Sequence, residues 1–257
     1  MDAPERILAA ETAGPRDAAT TWTRFRGSLL GPPLVGIQVG HLASDRHPEE
    51  LAVLRVSTGA EVGGVREVDV NLAIARALAE RLLAAGVEVE LLAATVPPGY
   101  KADVLLSIHA DASPDPARRG YKSAHAEPAR NPRDAALKRL VDAAYLGASP
   151  LPSDDANVSG AMLDYYAFAD DRLRHAADSS TAALILELGY LSHPDDRAWL
   201  LDPERPAAAL ADGLLSYLGA LERWHPSFGP GGAPGDDGDD GDVLAWRACE
   251  RPSIFCP

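Results

Sequence analysis

The 257-residue chain has little that would cross-link it, anchor it in a membrane or direct it out of the cell. Its two cysteines, Cys249 and Cys256, lie in the last nine residues, so disulfides cannot organise the main body. They either close a small C-terminal loop, which would imply an oxidising compartment, or remain free thiols, and their spacing matches no zinc motif. No run approaches the ~20 apolar residues of a transmembrane helix. The N-terminal stretch lacks a basic start followed by an apolar segment, so no signal peptide is predicted.

Positive charge is also scarce. The chain has 24 Lys and Arg residues against 38 Asp and Glu residues, which gives a formal net charge of −14. A nucleic-acid partner held through its phosphates is therefore not expected. Part of the acidity is local, in the DDGDDGD stretch at 236–242. This stretch either binds Ca²⁺ or serves only as a spacer.

Breaker-rich segments divide the chain into three parts. Residues 1–33 mix polar and small residues and end in a Gly-Pro-Pro cluster, which predicts an extended lead-in. Residues 34–225 are predicted to form one folded domain, since the hydrophobic content of 46% suffices for a sizeable core. Residues 226–257 are predicted to form a Gly/Asp-rich linker and a C-terminal tail.

The folded domain alternates short apolar runs with helical periods. Near-continuous apolar runs of strand length are typical of a sheet buried on both faces, and they occur at 34–39, 87–93, 103–110 and 183–189, with a weaker candidate at 120–126. The helical patterns predict helices at 68–85, 132–147 (with Asn131 as its N-cap) and 206–221, and a short one at 48–54. This alternation predicts an α/β sandwich with a largely parallel sheet, in which ligands gather at the carboxyl ends of the strands.

Potential metal ligands and acid–base groups stand at the ends of these elements. His41 follows the first strand, His109 lies near the end of the third, and Glu187 lies near the end of the fourth. Glu67 opens the first long helix. Two imidazoles and one carboxylate form a His₂Glu set that leaves zinc a fourth position for water. A further carboxylate is then available as a general base.

Four blocks that contain these residues resemble the zinc-dependent N-acetylmuramoyl-L-alanine amidases of peptidoglycan. GIQVGHLAS resembles the family's strand that ends in an Asp-Pro-Gly-His-Gly-Gly turn, and REVDVNLAIA resembles the block in which a Glu ligand precedes an Asn-Leu helix. VLLSIHADAS resembles the Ser-Ile-His-Ala segment that supplies the second His. LILELGYLSHPDDRAWL resembles the Glu-Leu-Gly-Phe block. The resemblance covers about residues 34–222.

The resemblance implies a role for each of these residues. His41, Glu67 and His109 would bind Zn²⁺, and Glu187 would be the catalytic carboxylate. The implied fold is a three-layer α/β sandwich around a mostly parallel sheet of about six strands, flanked by helices. The implied reaction hydrolyses the amide between N-acetylmuramic acid and the L-alanine of the stem peptide, so peptidoglycan or muropeptides would be the partner.

The chain departs from the family pattern around the first histidine. Gln38 and Val39 replace the usual Asp-Pro, and Leu42 and Ala43 replace the two glycines, which predicts a loss of backbone freedom in the turn. Three residues outside the four blocks are further candidates for substrate binding: His175, Asn157 and His125. His47, in the polar stretch DRHPEE, is expected to be solvated.

Two other functions remain open at this point. A non-catalytic peptidoglycan-binding module on the same fold would explain the altered turn, and a zinc peptidase or deacylase acting on another acyl-amide would use the same chemistry. Peptidoglycan lies outside the cytoplasmic membrane, so the resemblance implies the cell envelope or the extracellular space. The lack of a visible signal peptide leaves a cytoplasmic location open. The oligomeric state does not follow from the sequence.

Overall fold

The structure, a computed structural model, describes residues 32–224. The predicted lead-in at 1–33 lies outside the described residues except for Pro32 and Pro33. The predicted linker and tail at 226–257 and the possible bridge between the two cysteines also lie outside them. The strands are β1 (Leu34–Val39), β2 (Glu61–Val62), β3 (Val65–Arg66), β4 (Glu88–Leu92), β5 (Val104–Asp111), β6 (Lys122–Ala124) and β7 (Ala182–Tyr190). The α-helices are α1 (Glu67–Ala84), α2 (Asp134–Ala148), α3 (Gly160–Leu163), α4 (Pro194–Leu200) and α5 (Glu204–Trp224).

The main sheet has the order β4-β1-β5-β7-β6. Its first four strands are parallel and β6 pairs antiparallel with β7, so the prediction of a mostly parallel α/β fold is confirmed. Within residues 32–224 this sheet has five strands instead of about six, and β2 and β3 form a separate hairpin. The weak candidate at 120–126 is the short edge strand β6.

The three long helices pack on one face of the sheet. Ile74, Leu78 and Leu82 of α1 are fully buried at four-residue spacing, as the apolar period predicts. They share a core cluster with side chains of α2 and α5 and with one face of the strands. We call this side of the sheet the helical face.

The other side of the sheet, which we call the site face, is covered by short turns and irregular segments. Its core cluster gathers strand residues with side chains from about 96–102 and 158–177, where the structure has only one-turn helices and loops. Tyr100 packs so closely on Gly36 of β1 that an added Cβ would lie 2.4 Å from its hydroxyl oxygen. The glycine is therefore what allows this segment to approach the sheet.

Several helices begin or end at residues other than those predicted. The second helix starts at Asp134, and Arg133 is its N-cap residue, because Asn131 instead accepts the Arg133 N–H through its side chain and closes the preceding turn. The short helix predicted at 48–54 is a 3₁₀-helix at Glu49–Leu54, and α5 extends beyond the predicted 206–221. In residues 32–224, no helix is both long and apolar enough to cross a membrane.

Candidate metal centre and active-site cleft

Strand register brings His109 and Glu187 together at the carboxyl end of the sheet. His109 in β5 pairs directly with Glu187 in β7, and Glu187 in turn pairs with Lys122 in β6. Residues paired in this way project from the same face of a sheet. The three side chains therefore stand in one row on the site face.

His41 reaches the same place on a left-handed turn directly after β1. Its backbone φ is 65° and that of Ala43 is 55°. Two residues with a Cβ therefore adopt the left-handed conformation that glycine adopts most readily, and one of them, Ala43, stands where the family motif has a glycine. The preceding Gly40 is packed against His109, since an added Cβ would lie 2.5 Å from ring atoms of that imidazole. The departure at 42–43 therefore leaves the left-handed turn in place.

Glu67 is the first residue of α1 and points into the row. Its Oε2 accepts the Ala60 N–H at 2.9 Å, and its Oε1 accepts the Ala110 N–H and the Asn71 amide at 3.2 Å each. Gly59 of the loop packs against the same carboxylate, because a Cβ added to Gly59 would lie 2.9 Å from Oε2. The loop at 57–60 and the end of β5 thus fix the carboxylate from two sides.

The three side chains converge on one point. Glu67 Oε1 lies 3.2 Å from both His41 Nε2 and His109 Nδ1, and the three candidate ligand atoms lie within 4.8 Å of one another. His41 Nδ1 lies 2.8 Å from the Ser57 carbonyl oxygen. Because a carbonyl only accepts, Nδ1 carries the hydrogen and the Nε2 lone pair faces Glu67 when the ring is neutral.

This arrangement fits a metal ion. Lone pairs of a neutral imidazole and a carboxylate repel each other at 3.2 Å unless a positive charge, either a proton or a metal ion, lies between them. Two imidazole nitrogens and one carboxylate oxygen are a donor set that Zn²⁺ accepts. The backbone bonds that orient His41 and Glu67 are the outer contacts that such ligands usually have.

The same contacts shift the pKa values of Glu67 and His41. Burial works to raise the pKa of Glu67, but its bonds to His109 and His41 outweigh burial and hold that pKa well below its usual range. Burial works to lower the pKa of His41, but the bond to Glu67, the charge of Glu67 and the Ser57 carbonyl together raise it. In the metal-free protein, these contacts therefore favour a proton on His41.

Glu187 lies beside the cluster in a cleft of about 420 Å³. The cleft is lined by His41, Glu67 and Glu187, by the loop at 56–60 and by the segment 110–112. The Oε2 atom of Glu187 is buried without a hydrogen-bond partner. Burial, together with the charges of Glu67 and Asp111, raises the pKa of Glu187 well above its usual value.

Beneath the row lies a buried polar knot centred on Gln38. Its Oε1 accepts hydrogen bonds from Ser107 and Tyr165, and its Nε2 donates to the Ala94 carbonyl and to Tyr166. All four hydrogen-bonding positions of the amide are used, so the replacement of the family's Asp by Gln38 leaves no group of this side chain unpaired. Ser107 supports Gln38 instead of bonding to His109.

The structure does not bring the three further candidates into the cleft. His175 is tied to Glu50, whose carboxylate accepts from the imidazole and from the His175 backbone N–H. Asn157 donates to Asp154. His125 lines a separate pocket of about 290 Å³ near the sheet edge. A role for these three in substrate binding stays a prediction.

Sequence reasoning missed two polar residues on this side of the sheet. His47 was expected to be solvated, but only 5% of it is exposed, because it packs against Tyr166 and its Nδ1 lies 2.8 Å from the Thr95 hydroxyl. No sequence motif marks Lys122. The only indication in the sequence is the alternation at 121–124, which places Lys122 and Ala124 on the same face of a buried strand. An unpaired charge at such a position would be costly, so the lysine is expected to have a partner.

Fold and site together define an α/β enzyme whose cleft lies at the carboxyl ends of parallel strands. A family model described as N-acetylmuramoyl-L-alanine amidase matches residues 35–216, which is more than half of the chain. The chain therefore belongs to the N-acetylmuramoyl-L-alanine amidase family, and its enzyme class is that of an N-acetylmuramoyl-L-alanine amidase.

Solved structures show the same fold. The amidase AmiC2 of Nostoc punctiforme is 22% identical with a TM-score of 0.51, and 74% of this chain covers 98% of it. The catalytic domain of CwlV from Bacillus (Paenibacillus) polymyxa var. colistinus is 23% identical with a TM-score of 0.50, and 73% of this chain covers 98% of it. Ami1 from Mycobacterium smegmatis is 16% identical with a TM-score of 0.54, and 75% of this chain covers all of it. No curated protein sequence matches the chain.

Proposed function

We propose that the protein is a zinc-dependent hydrolase that cleaves the amide between N-acetylmuramic acid and the L-alanine of peptidoglycan stem peptides. The observation that carries this proposal is the convergence of His41, Glu67 and His109 beside the buried carboxylate of Glu187. Family membership supports the substrate, and the donor set supports the metal.

In this proposal, the imidazoles of His41 and His109 and the carboxylate of Glu67 would hold Zn²⁺. When bound, the ion supplies a Lewis acid at the floor of the cleft. The chain's own groups keep the ligand set in place, because Ser57 fixes the tautomer of His41 while Ala60 and Ala110 orient Glu67.

Glu187 is the proposed catalytic acid–base group. It takes a proton from the attacking water as the new C–O bond forms, and it delivers that proton to the alanine nitrogen as the C–N bond breaks. A carboxyl group whose pKa is raised above its usual value holds a proton more readily than an ordinary carboxylate, which suits it to both halves of this transfer. Burial and the neighbouring carboxylates supply that raised pKa.

A peptidoglycan substrate implies that the protein acts in the cell envelope or in the extracellular space. The glycan and stem peptide extend beyond a cleft of about 420 Å³, so residues outside it are available for contacts with the polymer. His175, Asn157 and His125 are proposed for such contacts.

The test compares the wild-type protein with Glu187→Gln on purified peptidoglycan, scoring newly released alanine amino groups and zinc per chain. Glu187→Gln is expected to keep the zinc and to lose about 10²–10⁴-fold in turnover, which is typical of a positioned acid–base group. Glu80→Gln, an exposed glutamate of α1, is the matched control and should behave as wild type. Unimpaired turnover in Glu187→Gln, or full activity after zinc removal, would contradict the proposal. A parallel panel of peptides and N-acyl amino acids tests for another acyl-amide substrate.

A further inference from the structure

Two large apolar side chains beside the cleft are left open to solvent. Val53 and Val56 are 82% and 85% exposed. Within the described part of the chain, only Leu201, at 53%, is comparably exposed among the large apolar side chains. A single exposed apolar side chain is ordinary, whereas neighbouring ones beside a cleft are typical of a contact surface.

The two valines stand on the same side of their segment. The 3₁₀-helix at Glu49–Leu54 continues into a turn, in which the backbone N–H groups three positions after Ala52 and Leu54 donate to their carbonyl oxygens. In a chain wound with this spacing, residues three positions apart eclipse each other. Val53 and Val56 therefore form one short apolar ridge, which we call the valine ridge.

The valine ridge is continuous with the wall of the cleft. Val56 lines the cleft of about 420 Å³ together with His41 and Glu187. Ser57, the next residue, lies against the His41 ring, with its carbonyl oxygen 2.8 Å from Nδ1. A substrate bound in this cleft therefore lies against the Val56 side chain.

Buried anchors hold the ridge in place. Leu51, in the same segment, is only 3% exposed. The Glu50 carboxylate accepts the backbone N–H of His175 at 2.8 Å, and the Arg55 guanidinium donates to the His47 carbonyl oxygen at 2.7 Å. A surface that is already ordered loses little conformational entropy when a ligand binds. The ridge is therefore preorganised for a ligand in the cleft.

The proposed substrate offers apolar groups at the matching place. Its scissile amide is flanked by two methyl groups, one on the lactyl carbon and one on the α-carbon of L-alanine. A methyl group packed on a valine removes apolar surface of both partners from water. An anionic lipid surface is disfavoured as the occupant, because the segment 44–61 carries four acidic and two basic side chains.

We propose that the valine ridge is a specificity-determining contact: Val56 packs against a methyl group next to the scissile amide, and Val53 extends this apolar contact along the substrate. The inference deepens the proposed function and rests on it. The contacted group is either the lactyl methyl or the alanine methyl, and two substrate analogues distinguish them.

An enzyme–substrate double-mutant cycle tests this contact. Full-length, zinc-loaded wild type and Val56→Ser are compared on a soluble muropeptide, on its analogue with glycine in place of L-alanine, and on its analogue without the lactyl methyl. On the complete muropeptide, Val56→Ser is expected to lower kcat/KM by about 5–20-fold, mainly through KM, because the contact is present before chemistry begins. On the analogue that lacks the contacted methyl, the same substitution should cost about twofold or less.

Three further variants serve as comparisons. Val53→Ser should lower kcat/KM by about 2–5-fold, and Val56→Ile, which keeps the apolar surface, by less than about threefold. Leu201→Ser is the matched control and should behave as wild type, because Leu201 is exposed but lies outside the cleft lining. An equal loss for Val56→Ser on all three substrates, or a loss explained by lower zinc content, would overturn the proposal.

The proposed function can fail separately from the ridge. A wild-type protein that hydrolyses no muropeptide would refute the function, and calorimetric binding of the same three compounds would then decide the ridge. Absent binding, or binding that Val56→Ser does not weaken, would overturn it. The proposal would also be overturned if the cycle showed no coupling and phosphatidylcholine vesicles bound the wild type but not a Val53→Ser/Val56→Ser double variant.

Discussion

The two faces of the sheet are built in different ways. The helical face is a continuous apolar core in which α1, α2 and α5 pack on the strands. The site face carries the row of His109, Glu187 and Lys122 above the polar knot around Gln38, and short segments cover it. In residues 32–224, the proposed catalytic groups that belong to the strands all project from the site face.

The contrast shows how one sheet separates stability from chemistry. Fully buried leucines and isoleucines stabilise the helical face, where each is worth roughly 1.5–3 kcal/mol of apolar burial. Polar groups on the site face are buried at a free-energy cost that hydrogen bonds only offset. The site face therefore holds fixed charges and dipoles in place because the helical face keeps the sheet folded.

The largest difference between the two faces is expected when a methyl group is added at one tightly packed glycine on each face. In Gly40→Ala, the added Cβ would lie 2.5 Å from the His109 ring, which must swing out of the row. In Gly213→Ala, it would lie 2.8 Å from the Val141 Cα of the facing helix, so α5 and α2 must separate. Gly40→Ala is expected to weaken zinc binding by about 10–100-fold or more.

The outcome expected on the other face is the reverse. Gly213→Ala should lower the free energy of unfolding by about 1–3 kcal/mol through overpacking, with zinc affinity unchanged in the folded fraction. Zinc titration and urea unfolding of both variants measure the two effects. If Gly213→Ala weakened zinc binding as much as Gly40→Ala, the proposed separation of roles would be wrong.

The pH dependence of metal binding should also be confined to the site face. The pKa of His41 is raised in the metal-free protein, so below that pKa zinc must displace a proton from this ring. The pKa of Glu67 is lowered, so Glu67 stays ionised and adds no competing proton near neutrality. Zinc affinity should therefore fall by up to about tenfold per pH unit as the pH decreases through the raised pKa.

The sign is opposite for the stability of the metal-free protein. A raised folded-state pKa adds stability that is complete below the unfolded value of about 6.5 and is lost as the pH rises through the folded value. Competition with a chelator and urea unfolding, each between about pH 6 and pH 8, measure the two trends. A zinc affinity that did not change with pH would contradict the assignment of a proton to His41.

The helical face was the more predictable one from sequence. Ile74, Leu78 and Leu82 recur at helical spacing, and this periodicity identified α1 to within one residue at each end. The strand at 183–189 was equally clear, because its apolar run is nearly continuous. The sheet and the long helices follow from patterns of this kind, since they depend on local periodicity and on burial.

The site face was only partly predictable. His41, Glu67, His109 and Glu187 were proposed together because they stand in recognisable blocks. The structure brings His41, Glu67 and Glu187 into one cleft and places His109 3.2 Å from Glu67. The contacts that hold them were not foreseen, because they join residues far apart in the chain through register and loops. The pairing of Lys122 with Glu187, 65 positions away, depends on β6 returning antiparallel at the sheet edge.

The smallest expected effect tests the strain in the turn that carries His41. Ala43 adopts a left-handed backbone at φ 55°, which costs a residue with a Cβ about 1 kcal/mol. Ala43→Gly should therefore raise the free energy of unfolding by up to about 1 kcal/mol, measured by urea unfolding, with zinc affinity unchanged. Leu42→Gly is the control: Leu42 packs on the core cluster and has no positive φ, so its loss should destabilise. If Ala43→Gly also lowered the free energy of unfolding, the turn would not be strained. The site face would then have no backbone cost in this turn for the helical face to offset.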